Sequence, residues 1–251
     1  MAKKIFFIPD IHWSERDIKA VEACRMAHAH FKPDITVFLG DILNCGPFAA
    51  HPKSRLTEDL GYDFQDSELA PAKTFIDEIS LRTKELTYII EGNHDQWVER
   101  WAANYHGPTA RAVYSLISPR RNLLRDNDRL RWVHNDDSLS LSNLLACVHG
   151  WTASKYAAFR HLELSGTRSI VFGHTHRAQQ ATGRDPWTNK EVEAVSFGCL
   201  CKFNPIYMHG APTAWSHGYG IAFLGRTSYT LYRGKIQDGY TVLPGGVEIQ
   251  A

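Results

Sequence analysis

The stretch Leu86-Thr87-Tyr88-Ile89-Ile90-Glu91-Gly92-Asn93-His94-Asp95 decides how the chain is read. Its first half is rich in β-branched and aromatic side chains and predicts a buried strand of about five residues. Gly92 closes the strand, since a glycine lets the backbone turn sharply, and three polar side chains follow without a spacer. Asparagine offers a carbonyl oxygen to a hard cation. Histidine ligates a metal or shuttles a proton near neutral pH, and aspartate anchors or charges its surroundings.

Working outward, four more clusters of the same chemical type occur. They are Asp10-x-His12 after a strand Lys4–Ile8, Gly40-Asp41 after Ile35–Leu39, His149-Gly150 after Leu144–Val148, and Gly173-His174-x-His176 after Ser169–Phe172. Each falls at the C-terminal end of a predicted strand, the edge at which open α/β sheets bind ligands. On an extended segment, residues i and i+2 point the same way, so Asp10 with His12, and His174 with His176, are expected to converge. A donor set of carboxylate, imidazole and amide oxygen without thiolate suits Mn, Fe, Zn, Co or Ni better than a structural zinc site. A lone histidine after a strand is more often an ordinary surface residue, and a lone aspartate after glycine a turn residue. Five such clusters in one order outweigh that reading. The remaining histidines (28, 30, 51, 106, 134, 161, 209 and 217) are read as ordinary, with His51 and His217 the two to watch.

Helices are predicted over Asp17–Phe31, about Pro71–Thr83, Gln96–Asn104 and Thr152–Leu164. The order strand, helix, strand, helix, strand through residue 90 predicts a parallel α/β half. Further strands are expected at Glu191–Phe197, Gly220–Leu224 and Thr227–Arg233, the last pairing toward Lys235–Val242. Residues 44–70 are too long and irregular for a plain connection and are expected to form a loop bordering a substrate pocket. The arginine-rich Ser118–Arg131 reads first as a solvated face and second as a phosphate grip. No repeat or low-complexity linker interrupts the chain, so residues 1–251 are expected to form one domain.

The net charge of +1 over 251 residues supplies no global field toward nucleic acid or an anionic membrane. A local groove from Arg100, Arg177, Lys202 and the Arg120–Arg131 segment stays open. The five cysteines form no CxxC, and Cys199-x-Cys201 is read as structural, which points to reduced thiols and a cytoplasmic setting. The N-terminal apolar run is too short for a signal peptide or a membrane span.

The blocks Asp10-x-His12, Gly40-Asp41, Gly92-Asn93-His94-Asp95, His149 and Gly173-His174-x-His176 resemble, in order, the pattern of the calcineurin-like metallophosphoesterases. The resemblance covers about two thirds of the chain. It implies an α/β fold, a four-layer α-β-β-α sandwich with a dinuclear site at the strand C-terminal ends. It also implies two divalent transition metals, Mn2+ first and Fe, Ni, Zn or Co as alternatives. The implied activity is hydrolysis of phosphodiesters, or of phosphomonoesters, by in-line attack of a metal-bridging hydroxide. Carried over by position, Asp10, His12 and His176 hold the first metal. Asn93, His149 and His174 hold the second, Asp41 bridges, and His94 faces the scissile phosphate, to protonate the leaving oxygen or to steady the charge that develops on it.

One departure is instructive. In the Ser/Thr protein phosphatases the second block continues GDxxDRG, whereas here Asn44 and Cys45 stand in place of the second aspartate and the arginine. Asn44 thus takes the position of the carboxylate that orients the catalytic histidine, and the missing arginine argues against a phosphoprotein substrate. The continuations Gln96–Arg100, Val148–Trp151, Arg177, Gly198–Cys201 and Trp215–Tyr219 resemble more closely the metallophosphoesterases of phages and prophages, which implies a host cytoplasm. Arg100 and Arg177 are the expected substrate-binding cations. The favoured reading is an enzyme acting on a nucleotide or nucleic acid. The alternative is a non-catalytic metal-bound scaffold of the same fold, and the intact His94 with a full ligand set favours the enzyme. No membrane partner is expected, and the oligomeric state, a homodimer included, is left open.

Overall fold

The structure, a computed structural model, describes residues 2–49, 63–104, 107–205 and 212–251. Strand β1 (Lys3–Ile8) shows the rule on which the layers are built. Successive side chains of a strand face opposite ways. Ile5 and Phe7 therefore enter one core, and Phe6 and Ile8 enter another. The same alternation runs through β2 (Ile35–Phe38), β3 (Thr87–Ile90) and β4 (Leu130–Val133), which lie parallel to β1 in that order.

A second sheet is made of β5 (Leu139–Ser140), β6 (Leu145–Val148), β7 (Ser169–Phe172), β8 (Ala178–Arg184) and β9 (Glu191–Phe197), in the order β5-β6-β7-β9-β8. Its three middle strands are parallel and its two edges antiparallel. The chain then returns to the first sheet through β10 (Gly218–Leu224), antiparallel to β1, and β11 (Tyr229–Lys235) at the edge. A small hairpin of β12 (Tyr240–Val242) and β13 (Glu248–Gln250) follows.

Between the sheets, Phe7, Val37, Leu39 and Ile90 meet Leu145, Cys147, Val171 and Phe197. Phe7 and Phe197 stack with ring centroids 5.7 Å apart. On the outer side of the first sheet, Phe6, Ile8, Phe38 and Ile89 are covered by α1 (Ile18–Phe31), α2 (Ala70–Arg82) and a short helix near residue 120. Two further short helices, α3 (Trp97–Ala103) and α4 (Pro108–Ile117), precede that one, α5 (Pro119–Leu124). Outside the second sheet, Val148, Ile170 and Phe172 pack on Ala157, Ala158 and Leu162 of α6 (Ala157–Ser165). Each large apolar side chain so buried contributes about 1.5–3 kcal/mol. The result is the expected four-layer α-β-β-α sandwich.

Several elements differ from the sequence reading. Half of the arginine-rich segment is α5 and the start of β4, with Leu123 and Leu130 buried while the arginines stay outside or pair with main-chain carbonyls. Strand β11 pairs with β10 instead of residues 235–242, because the turn closed by Gly225 N–H on the Ser228 carbonyl (2.8 Å) folds it onto its immediate predecessor. Helix α6 begins at Ala157, after a loop in which the Trp151 N–H donates to His161 Nε2 at 2.9 Å. Within 44–70, Gly46–Phe48 and Gln65–Leu69 form short helical turns, the second running into α2, while 50–62 fall outside the described residues. Among the described residues, no helix is long and apolar enough to cross a membrane.

One histidine read as ordinary has a measurable consequence. His28 of α1 is buried edge-on to Phe6 (5.2 Å), with Nε2 2.9 Å from Thr36 Oγ1. Burial, reinforced by the Arg82 charge, lowers its pKa from 6.5 to about 4. Between those two pH values the unfolded chain takes up a proton that the native chain refuses, so stability falls as pH drops through the window and is intact above it. Denaturant titrations at about pH 7.5 and about pH 5 should show the native protein losing roughly 2 kcal/mol more than His28→Gln. Equal losses would remove His28 as the titrating group.

Candidate metal centre

The C-terminal ends of β1, β2 and β3 in one sheet and of β6 and β7 in the other carry the five clusters, and the loops there are tied to one another. The Ile11 and His12 N–H groups donate to the Asp41 carbonyl at 3.1 and 2.9 Å. The His94 N–H donates to Asp41 Oδ1 and the His174 N–H to Asp10 Oδ1, each at 2.8 Å. The buried Asp95 carboxylate accepts from Leu43 N–H (3.2 Å) and Gly92 N–H (2.9 Å), joining the loop after β2 to the loop after β3.

The backbone that aims the donors is not extended. His12, Asp41, His174 and His176 have φ of 46°, 48°, 66° and 55°. The paired residues converge through left-handed turns and not through strand alternation, because an extended chain would carry His12 and His176 past the edge. Each such conformation costs of order 1–3 kcal/mol and persists only where the surroundings hold it. Gly92 serves close approach instead of the turn the sequence suggests. A Cβ there would lie 2.1 Å from both Asp41 N and Asp41 Oδ1. Gly40 combines φ of +100° with a Cβ position 2.4 Å from His149 Nδ1.

The donors expected from the sequence gather in two groups, and Cys201, which the sequence reading left out of the donor set, forms a third with His12 and His176. Ligand atoms of Asp10, His12, Asp41 and His176 lie within 4.8 Å of one another, as do those of Asp41, His149 and His174, so Asp41 belongs to both. Its Oδ2 is 3.3 Å from His149 Nε2 and 3.7 Å from His12 Nε2. The His12 and His176 Nε2 atoms face each other at 3.0 Å, and Asn93 Oδ1 is 2.9 Å from His149 Nε2. All seven ligand candidates of the sequence analysis therefore come together. Asp10 Oδ2 is buried without a hydrogen-bond partner, a costly arrangement unless a cation compensates it. His149 Nδ1–H donates to the Leu39 carbonyl at 2.8 Å, which leaves its Nε2 lone pair for a ligand. Carboxylate, imidazole and amide oxygens closing on one space fit divalent transition metals.

The charges are mutually supporting even before a metal is considered. Burial opposes ionisation of Asp41, but His149, His94 and His12 hold its carboxyl well below the usual range. Burial likewise works against a charged His149, yet Asp41 raises it to about 9. His174, desolvated by burial and facing His149, is pushed down to about 4.

His94 stands beside these groups. Its ring stacks on Trp97 (3.8 Å, 28°) and meets His12 edge-on at 4.5 Å. Its Nδ1 lies 2.8 Å from the main-chain carbonyl of Asn44. A carbonyl only accepts, so Nδ1 carries the proton. This corrects the expected role of Asn44: the bond to His94 is made by its backbone carbonyl and not by its side chain. The bonds of Arg100 and Arg177 go to Gln96 (2.9 Å) and the Ala153 carbonyl (3.2 Å), outside the donor groups. His217 Nε2–H donates to the Cys201 carbonyl at 2.8 Å, a structural bond. His51 lies outside the described residues.

Three neighbours of the site went unnoticed in the sequence. Trp97 is legible afterwards, since the turn closed by the Trp97 N–H on the His94 carbonyl (3.0 Å) sets residues i and i+3 side by side. Cys201 Sγ, 3.7 Å from His176 Nδ1, and the buried Glu68 approach from distant segments, and no local spacing signals them.

The calcineurin-like phosphoesterase family profile matches residues 3–178. The chain belongs to the calcineurin-like phosphoesterase family. Among solved structures it is similar to vacuolar protein sorting 29 from Cryptosporidium parvum, with 13% identity and a TM-score of 0.54 over 100% of this chain and 99% of that one. It is also similar to Vps29 from Chaetomium thermophilum, with 12% identity and a TM-score of 0.49 over 98% of this chain and 92% of that one. YfcE, a phosphoesterase from E. coli, matches at 19% identity and a TM-score of 0.42 over 93% of this chain and 100% of that one. No curated protein matches.

The close approach of Gly92 to Asp41 can be tested directly. Gly92→Ala should lower stability in denaturant titrations by about 2 kcal/mol or more, through overpacking against backbone. Gly183→Ala, whose Cβ would meet only Leu162 Cδ2 at 3.3 Å, is the control and should change little. Equal effects would mean that the β3 loop yields freely to Asp41.

Proposed function

We propose that the chain is a metal-dependent phosphoesterase that hydrolyses phosphodiester bonds in a nucleotide or nucleic acid. The observation that carries this reading is the pair of donor groups sharing Asp41, with a protonatable imidazole, His94, fixed beside them. Asp10, His12 and His176 with Asp41 would hold one divalent ion, and Asn93, His149 and His174 with Asp41 the other, Mn2+ being the first choice. When bound, such a pair neutralises phosphate oxygens and activates water for in-line displacement.

The protein's own residues supply the rest. With Nδ1–H committed to the Asn44 carbonyl, His94 Nε2 is the nitrogen free to deliver a proton to the leaving oxygen. Stacking on Trp97 and the His12 edge restrict the ring to one plane. Asn93 contributes a neutral oxygen, which limits the negative charge that an incoming phosphate must face. Arg177, the residue after His176, and Arg100 on α3 would meet the substrate's more distant phosphates by releasing their present bonds.

Metal analysis after loading with Mn2+ or Ni2+ should find two ions per chain. Asp41→Asn should lose both, because it alters the one side chain that, among the described residues, is common to the two groups, whereas His12→Ala should retain part. Equal retention by the two variants would end the bridging assignment. A loaded protein inactive toward bis-p-nitrophenyl phosphate, p-nitrophenyl phosphate, cyclic nucleotides and single- and double-stranded DNA would transfer the reading to a metal-bound scaffold.

His94→Asn should keep both ions and cut turnover of a dinucleotide by about 10²–10⁴-fold. The loss should shrink on bis-p-nitrophenyl phosphate, whose leaving group departs without a proton. The same loss on both substrates would make His94 a phosphate-binding group.

A further inference from the structure

We propose that Glu68 is the positioning residue for His94, a role that a side chain on the strand-end motif itself would otherwise fill; the proposal rests on the reading of His94 as proton donor. Glu68 lies outside every motif of the sequence and is 0% exposed. Its Oε2 accepts from both Asn44 N–H and Cys45 N–H, each at 3.0 Å. The Cys45 N–H belongs to the same peptide unit as the Asn44 carbonyl, which accepts from His94 Nδ1–H at 2.8 Å, and the Asn44 N–H belongs to the peptide before it. A continuous chain of contacts thus runs from the Glu68 carboxylate, through one peptide, to the imidazole.

The local backbone explains why a clamp is needed. Cys45 is left-handed (φ 51°, ψ 30°), a conformation that an unsupported cysteine rarely holds. It is the hinge that turns the Asn44 carbonyl toward His94. The two N–H groups converging on one carboxylate oxygen make strong, charge-assisted bonds that fix two successive peptides, the second of which carries the Asn44 carbonyl. Glu68 itself is delivered by the π-helical turn Gln65–Leu69, and single π-turns are frequent at functional sites because they re-aim a side chain within an otherwise regular helix.

The chemical consequence is a choice of tautomer. With the Asn44 carbonyl in place, the neutral ring carries its proton on Nδ1 and the lone pair on Nε2. Protonated, it presents Nε2–H to the leaving oxygen. When the clamp is released, the carbonyl turns away, both tautomers become populated and the ring rotates against Trp97. A misplacement of about 1 Å costs on the order of 10²-fold in rate.

The test compares Glu68→Met, which keeps the volume and removes the acceptor, with Glu68→Gln, whose amide oxygen can accept both N–H groups. Glu68→Ala serves where methionine is not accommodated. In the zinc-loaded protein, the Nδ1–H resonance of His94, assigned by its loss in His94→Asn, should vanish in Glu68→Met and return in Glu68→Gln. Turnover of a dinucleotide should fall about 10²-fold in Glu68→Met with KM and metal content unchanged. Turnover of bis-p-nitrophenyl phosphate should change by less than about threefold, since that leaving group needs no proton. An Nδ1–H resonance unaltered in Glu68→Met, or equal rate losses on both substrates, would overturn the proposal and leave Glu68 a structural carboxylate. A native protein that cleaves neither substrate refutes the phosphoesterase reading instead, and the resonance then decides the positioning by itself.

Discussion

Asp41 is the point at which the molecule's constraints meet. Its carbonyl accepts the N–H groups of Ile11 and His12, its Oδ1 accepts that of His94, and its Oδ2 sits between His12 and His149. Gly92 is pressed against it so closely that no side chain fits between them. One left-handed residue thereby fastens the loops after β1, β2 and β3 of one sheet to a histidine carried by the other. A charged carboxylate at 2% exposure is costly to bury. What makes it tolerable is the ring of imidazoles around it and the main-chain donors at its back. The same features make it a point that two cations can share.

The two sheets explain how such a point can exist. Parallel strands end at one edge, so a sandwich with parallel segments in both sheets brings strand-end loops together from two directions. The apolar layer between the sheets, with Phe7 stacked on Phe197, sets their separation and hence the distance between the two donor groups. Strain at the site is carried by backbone that this packing holds in place. His12, Asp41, Cys45, His174 and His176 all occupy left-handed conformations, and none of these turns would survive in an isolated loop.

His94 shows how a motif can depart from its pattern while keeping its geometry. The departure at Asn44 removes a side-chain carboxylate from the expected place, yet the imidazole still has a partner at 2.8 Å on Nδ1. A backbone carbonyl carries no formal charge and so stabilises imidazolium less than a carboxylate would. It does fix the tautomer just as firmly, because it can only accept. Orientation is thereby separated from charge compensation: Glu68 supports the first, while burial pushes the His94 pKa down and the nearby Asp41 offsets only part of that.

The sequence by itself determined the donor types and the strand ends that bear them. Gly92-Asn93-His94-Asp95 and its companion clusters are local, and the strands before them are marked by local apolar runs. The alternation in Lys3–Ile8 was equally legible, because period two is a property of the strand alone. What only the tertiary structure decided were relations between distant segments. These are the sharing of Asp41 by two groups, the sulfur of Cys201 behind His176, the Glu68 clamp on the Asn44–Cys45 peptide, and the return of β10 and β11 to the first sheet. The left-handed turns belong with them. A non-glycine residue adopts positive φ when its surroundings make the alternative worse, and that comparison is settled by packing, not by the residue's own preference.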